Sequence, residues 1–257
     1  MSTYNFECEP IVAWLNVNQA CNMRCKWCYA ENGLETNLEM SPSLAKELID
    51  ISIDAGVEEF VLIGGEPTLW TGLFPTIEYI HDRENRVSVI TNAFRFSDNR
   101  FWERYQDTPA DSLGISIKSV SPKEFDSVTG NHHLDRSLLG IERAISYHHG
   151  GVSAVHNTLV GLDGLFEIAN VCKNLGATSF QMVMCTPTFD SAGEVQLVYA
   201  FSPQNIRKEV ATAADYLTNL YGDKAYFDLQ LPLCLLPPDF VEDMLTQRRL
   251  QTQCHMV

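Results

Sequence analysis

The sequence predicts an open, partial (β/α)6 barrel of the TIM type, and three observations carry that expectation. Short apolar runs alternate with stretches of helical period from residue 11 to residue 221, the pattern that builds a parallel sheet covered by helices. Six such units can be counted, where a closed barrel takes eight. The residues richest in chemistry stand directly after strands, at the C-terminal ends where α/β barrels build their sites.

The elements follow in order. Ile11-Val12-Ala13-Trp14-Leu15-Asn16-Val17 reads as a buried first strand. Ser41-Pro42 opens a helix through Ala55: Ser caps the first turn, Pro suits the first helical position, and Leu44, Leu48 and Ile51 share one face. The second strand is 59–63, with a helix near 72–83, and the third is 87–91, with a helix near 98–106. The fourth strand, 112–118, precedes helical segments near 121–128 and 135–148. A fifth strand over 152–160 leads to a helix near 164–175, and a sixth over 179–184 leads through a long loop to a helix over 204–221. A further extended piece lies at 226–231. Residues 1–222 are expected to form the barrel and 223–257 a C-terminal extension.

The most informative stretch follows the first strand. Cys21, Cys25 and Cys28 place three thiols within eight residues. Three thiolates hold three corners of a cubane [4Fe–4S] cluster and leave the fourth iron open to a small molecule. A structural zinc site would want four closed ligands, and a disulfide framework an even number. Three packing cysteines meeting by chance explain such density less well. A second signal comes where the strand ending at Ile63 runs into Gly64-Gly65-Glu66-Pro67-Thr68. Two glycines let the backbone come close to a ligand, and Glu66 adds an anion, a combination suited to an amino group. Taken alone, the same residues read as a strand-ending turn.

Together, Cys21-x3-Cys25-x2-Cys28, Trp27 and Gly64-Gly65-Glu66-Pro67 resemble the motifs of the radical S-adenosylmethionine (radical SAM) enzymes. The resemblance implies that Cys21, Cys25 and Cys28 bind the cluster and that its open iron chelates the methionine part of SAM. It implies that Gly64, Gly65, Glu66 and Pro67 form the amino-group pocket and that Trp27 lies near the adenine. Thr91-Asn92-Ala93 resembles the family's Thr-Asn-Gly, with alanine in place of glycine, which makes Asn92 a cofactor contact. Ser116 stands where a ribose contact is common, and Lys118 where an Asp is frequent. Asn157 is a further candidate contact. The implied chemistry is reductive cleavage of SAM to methionine and a 5′-deoxyadenosyl radical, which takes a hydrogen atom from the substrate. An external donor such as flavodoxin or ferredoxin would supply the electron. Glu66→Ala, or a bulky residue at Gly65, is expected to weaken SAM binding yet leave the iron content nearly intact, because the two motifs lie on different loops.

The formal net charge of −15 and the lack of a Lys/Arg run argue against a nucleic-acid partner. No apolar stretch reaches the length of a membrane span. The first residues lack the basic and apolar regions of a signal peptide. Eight cysteines in such a chain, three in cluster spacing, fit a reducing cytoplasm.

Cys254 resembles the first cysteine of the SPASM or twitch extension that many peptide-modifying radical SAM enzymes carry, but the later cysteines of that extension do not follow. Either the chain is the front part of a longer protein, with Cys234 and Cys254 accessible and an apolar patch over 229–240, or both cysteines are inert. Three functions follow: modification of a ribosomally made peptide, action on a small metabolite, or a non-catalytic electron-transfer or scaffold role, against which the intact glycine motif speaks. Cys185 suits a cavity thiol or a packing residue; Cys8 and Cys172 read as packing residues. His132-His133 and His148-His149 lie at helix ends without a metal-ligand pattern.

Overall fold

Alternation along each strand decides which face the helices cover. In the computed structural model, residues 11–28, 38–147, 152–157, 161–184, 188–189, 195–196, 206–229, 236–247 and 249 are described. Strands β1 (Val12–Asn16), β2 (Glu59–Ile63), β3 (Arg86–Thr91), β4 (Ser112–Ile117), β5 (Val152–Asn157) and β6 (Ser179–Val183) lie side by side in chain order, all parallel. Leu15, Leu62, Val89 and Leu113 pair in one register row and are buried under the helices. The neighbouring row is Trp14, Val61, Ser88 and Ser112, on the face turned away from them. That row turns polar on β3 and β4, where closed barrels pack bulky aliphatics: the Ser88 and Ser112 hydroxyls bond at 2.6 Å and Ser88 donates to Glu59 at 3.2 Å.

After a short antiparallel hairpin, β7 (Thr188–Phe189) and β8 (Val195–Gln196), strand β9 (Ala225–Asp228) adds to β6 in parallel. The sheet therefore has seven strands rather than the six counted from sequence. The extra one is the extended piece anticipated at 226–231, too short to announce itself as a sheet member. It lies beyond the boundary expected after residue 222. Its Ala225 and Phe227 are fully buried, and Leu229, Leu236 and Met244 join the same core. Arg249, 3% exposed, donates to Thr218 Oγ1 at 3.1 Å and the Gly222 carbonyl at 2.9 Å, while its own carbonyl accepts from the Phe227 N–H. Of the patch expected over 229–240, Leu229 and Leu236 are thus covered; Leu231, Leu233, Cys234 and Leu235 lie outside the described residues, as do Cys8, Cys185, Cys254 and His148-His149.

The helices are α1 (Pro42–Asp54), α2 (Leu73–His81), α3 (Asn99–Gln106), α4 (Pro122–Thr129), α5 (Leu134–Tyr147), α6 (Gly161–Asn174), α7 (Ile206–Tyr221) and α8 (Pro238–Thr246). Ser41 caps α1 as its position suggests, accepting from the Leu44 N–H at 3.2 Å. The buried stripe of α1 differs from the expected one. Ala45 and Ile49 face the core, while Leu44 and Ile51 are 45% and 58% exposed; the small Ala45 lets the helix lie close to the sheet. α6 begins at Gly161, three residues before the position read from sequence. No helix among the described residues is long and apolar enough to cross a membrane.

Candidate active site

The strand ends bring the two sequence motifs to one place. A cavity of about 690 Å³, open solvent at its mouth included, is lined by Cys21, Cys25, Trp27, Cys28, Gly64, Gly65, Glu66, Asn92 and Ser116, with Met23, Ile63, Ile90, Thr91 and Lys118 completing the wall. Of the expected site residues, Pro67 stands apart. It is buried as the first residue of a 3-10 turn, Pro67–Leu69, and does not line the cavity. The side chain of Asn157 lies outside the described residues.

The cysteine loop is held from two directions. On one side the backbone continues β1 along the glycine motif: Val17 N–H donates to Ile63 O, Gly65 N–H to Asn18 O and Glu66 N–H to Ala20 O, each at 2.8 Å. Asn18 Nδ2 adds a bond to the Glu66 carbonyl at 3.0 Å. On the other side lies the end of α4. Arg24 N–H donates to Thr129 O at 2.7 Å and Lys26 N–H to Val128 O at 3.1 Å. Asn131, just past the left-handed Gly130 that ends α4, donates to the Asn22 carbonyl at 3.1 Å. Met23 is buried with Phe94, Phe125 and Leu134 against Cys21 and Cys25. Sequence reasoning missed this second clamp, since residues 127–131 carry no ligand type and their partners are about a hundred positions away.

The glycines are needed for this backbone packing. A Cβ on Gly64 would lie 2.4 Å from Asn18 Oδ1, and one on Gly65 2.4 Å from Gln19 O and 2.5 Å from Ala20 O. The two motifs lie on different loops, as expected, but those loops are hydrogen-bonded backbone to backbone, so a side chain added at Gly65 bears on both.

Glu66 is 1% exposed and its carboxylate is fully engaged. Oε1 accepts from Thr68 N–H (3.1 Å), Thr68 Oγ1 (2.6 Å) and Thr91 Oγ1 (2.6 Å), and Oε2 from Asn92 N–H (2.8 Å). Asn92 Nδ2 then donates to Asn22 Oδ1 at 2.7 Å, which carries the arrangement into the cysteine loop. All four donors are neutral, and among the described residues no Lys or Arg pairs with Glu66. A buried anion without a cation is costly, so the site suits a ligand that brings a positive charge. Glu66→Gln should lower stability by about 2 kcal/mol, because an NH2 would replace an acceptor among donors. Urea unfolding checks this, and an unchanged midpoint would refute the role.

The three thiols are half-buried and free of disulfides. Burial, and then the Glu66 charge, push the Cys21 thiol up to about 12, against a stabilising N–H from Met23 at 3.4 Å. Cys25 is also raised by burial, with the Lys118 charge opposing. Metal loading must therefore displace protons. No three of the described His, Cys, Asp or Glu side chains converge on one ion; three thiols around one cavity fit a cluster in which three of the four irons each take one thiolate. Trp27, buried against Val128 and Cys25, supplies a flat apolar wall, and Ser116 a hydroxyl further along.

Comparison with known proteins agrees with this geometry. The profile of the Radical SAM superfamily matches residues 15–169, more than half of the chain. The chain belongs to the radical SAM superfamily, an enzyme superfamily whose cofactors are a [4Fe–4S] cluster and SAM. A probable GTP 3′,8-cyclase of Methanococcus maripaludis is 25% identical over 169 residues, covering 63% of this chain and 55% of the relative. The GTP 3′,8-cyclase of Mannheimia succiniciproducens is 30% identical over 145 residues, covering 54% and 42%. The chain thus spans about half the length of the curated relatives it matches. Among solved structures, Streptococcus suis SuiB bound to S-adenosylmethionine superposes with a TM-score of 0.70 at 14% identity, over 86% of this chain and 51% of that one. The structure of anSMEcpe with bound AdoMet gives 0.67 at 14% identity, over 96% and 69%.

Proposed function

We propose that this chain is the radical-generating unit of a radical SAM enzyme, with the cluster on Cys21, Cys25 and Cys28 and SAM in the adjoining cavity. The observation that carries the reading is the buried Glu66 carboxylate, without a Lys or Arg partner among the described residues, in the same cavity as the three thiols. When bound, cluster and SAM together supply reductive cleavage to a 5′-deoxyadenosyl radical that takes a hydrogen atom from the substrate. The chain's own residues do the positioning. Gly64 and Gly65 admit the methionine end of SAM, with the Glu66 charge opposite its ammonium. Trp27 faces the adenine, Asn92 and Ser116 contact the nucleoside, and Met23, Ile63 and Ile90 keep water from the reacting atoms. The electron comes from an external donor of the flavodoxin or ferredoxin kind, in the reducing cytoplasm.

Anaerobic reconstitution should load about four irons, and replacing Cys21, Cys25 and Cys28 together with alanine should remove them. The paramagnetic resonance spectrum of the reduced cluster should change on adding SAM. A spectrum blind to SAM would overturn the assignment, whatever the iron count.

For the substrate we favour a ribosomally made peptide. Lys118 is the one Lys or Arg that lines the described cavity, and the chain carries a net charge of −15. Both suit a neutral or basic segment better than a polyanion. The names of the sequence relatives favour a second reading, a nucleotide substrate. Incubation of the loaded protein with GTP and reductant separates the two: consumption of GTP coupled to 5′-deoxyadenosine would decide for the nucleotide.

A further inference from the structure

Two strands along the sheet from Glu66, the cavity carries the opposite charge. Lys118 directly follows β4, is half-buried, and lines the cavity. Its ammonium donates to the Ser116 hydroxyl and lies 5.7 Å from the centre of the Trp27 ring. Trp27 in turn packs on Cys25. Among the described residues no carboxylate lies within ion-pair distance of Lys118. Its charge thus has no carboxylate partner among the described residues, and it stands on the Trp27 face that packs on Cys25.

The two charges bear on different corners of the triplet. Glu66 is tied by its N–H to the Ala20 carbonyl, next to Cys21, whereas Lys118 stands over the Trp27 face that packs on Cys25. A cluster on these thiols would sit between a fixed anion and a fixed cation.

We propose that Lys118 tunes the reduction potential of the cluster, favouring its reduced state through a positive charge held beside the Cys25 corner. The inference rests on the cluster assignment above. Reduction adds one electron, supplied by the external donor, and so one negative charge to the cluster. A nearby cation stabilises the reduced form more than the oxidised one, and its removal shifts the potential to more negative values. Partial burial limits screening by salt, so the effect survives at ordinary ionic strength.

The test is a reductive titration of the reconstituted protein followed by paramagnetic resonance, with iron counted in each sample. Lys118→Arg should keep the parent potential, Lys118→Met should titrate at a more negative potential, and Lys118→Asp at a more negative one still, all with the parent iron content. A parent cluster that forms normally with no ordered shift across the series overturns the role of Lys118 alone. So does loss of iron in Lys118→Met together with Lys118→Arg, which would make Lys118 part of cluster assembly. A parent protein that takes up no iron overturns the cluster assignment beneath it.

Discussion

Replacing Gly65 with alanine should strip the protein of iron as well as of SAM binding. The added methyl would stand 2.4 Å from Gln19 O and 2.5 Å from Ala20 O. Both are backbone atoms, so no side-chain rotation relieves the contact. The bond from Gly65 N–H to Asn18 O, 2.8 Å long, fixes the same approach from the other direction. The chain from Asn18 to Ala20 must therefore move, and Cys21 is the next residue. Overpacking of this kind costs about 3 kcal/mol, which, set against the native placement of the loop, lowers its population, and 5′-deoxyadenosine formation with it, by about 100-fold. Iron per chain should drop with it. Iron analysis and product chromatography on the variant decide the matter. Full iron with lost SAM cleavage would restore the independent-loop expectation; full iron with full cleavage would also deny the glycine its place.

The second large effect is expected at Gly140, within α5. Exchange of glycine for alanine inside a helix ordinarily stabilises by about 1 kcal/mol. Here the Cβ would lie 1.9 Å from Ala93 O and 2.9 Å from the Ala93 carbonyl carbon. α5 packs directly on the 3-10 turn Phe94–Ser97, and Arg143 from the same helix donates to Phe96 O at 2.8 Å. Ala93 is fully buried with φ at 60°, so it has little freedom to retreat. Gly140→Ala should therefore destabilise by about 3 kcal/mol, the reverse of the usual sign. Chemical denaturation measures it, and a variant as stable as the parent would show that α5 yields easily. The same geometry explains the glycine of the Thr-Asn-Gly pattern that Thr91-Asn92-Ala93 resembles: the position needs a left-handed backbone, and this chain meets it with alanine.

Those two glycines mark what the sequence does and does not disclose. Strands β1 to β4 are legible because helices bury one face, giving an apolar residue at every second position; in β2 the other face is buried too, which makes the run Phe60-Val61-Leu62-Ile63 continuous. The cysteine triplet and Gly64-Gly65-Glu66 are legible because their chemistry tolerates few substitutes. What stays hidden is relational. Nothing local to Gly65 tells that Gln19 and Ala20 lie against it, and nothing in Val128-Thr129-Gly130-Asn131 tells that it holds the cysteine loop. The orientation of α1 escaped for a related reason: Leu44, Leu48 and Ile51 form a good apolar face, but the sheet receives the neighbouring one, which carries the smaller Ala45. β9 was legible as an extended piece but not as a sheet member, because four residues, Ala-Tyr-Phe-Asp, hold too little pattern to assign a partner strand. Lys118 was visible, but its nearness to Cys25 depends on β4 standing two strands from the cluster loop's neighbour β2.

The clamp on the cysteine loop has a consequence for how the protein is made. The sheet adds its strands in chain order, so the growing polypeptide can lay each one beside the last. Cys28 leaves the ribosome about 100 residues before Val128, whose carbonyl fixes Lys26, a delay of about 5–20 s at ordinary rates of synthesis. During that interval the three thiols belong to a loop with only one of its two supports. Iron delivered then would meet a flexible ligand set with no formed cavity around it. A cluster held by these thiols would therefore find its complete loop only once α4 is in place.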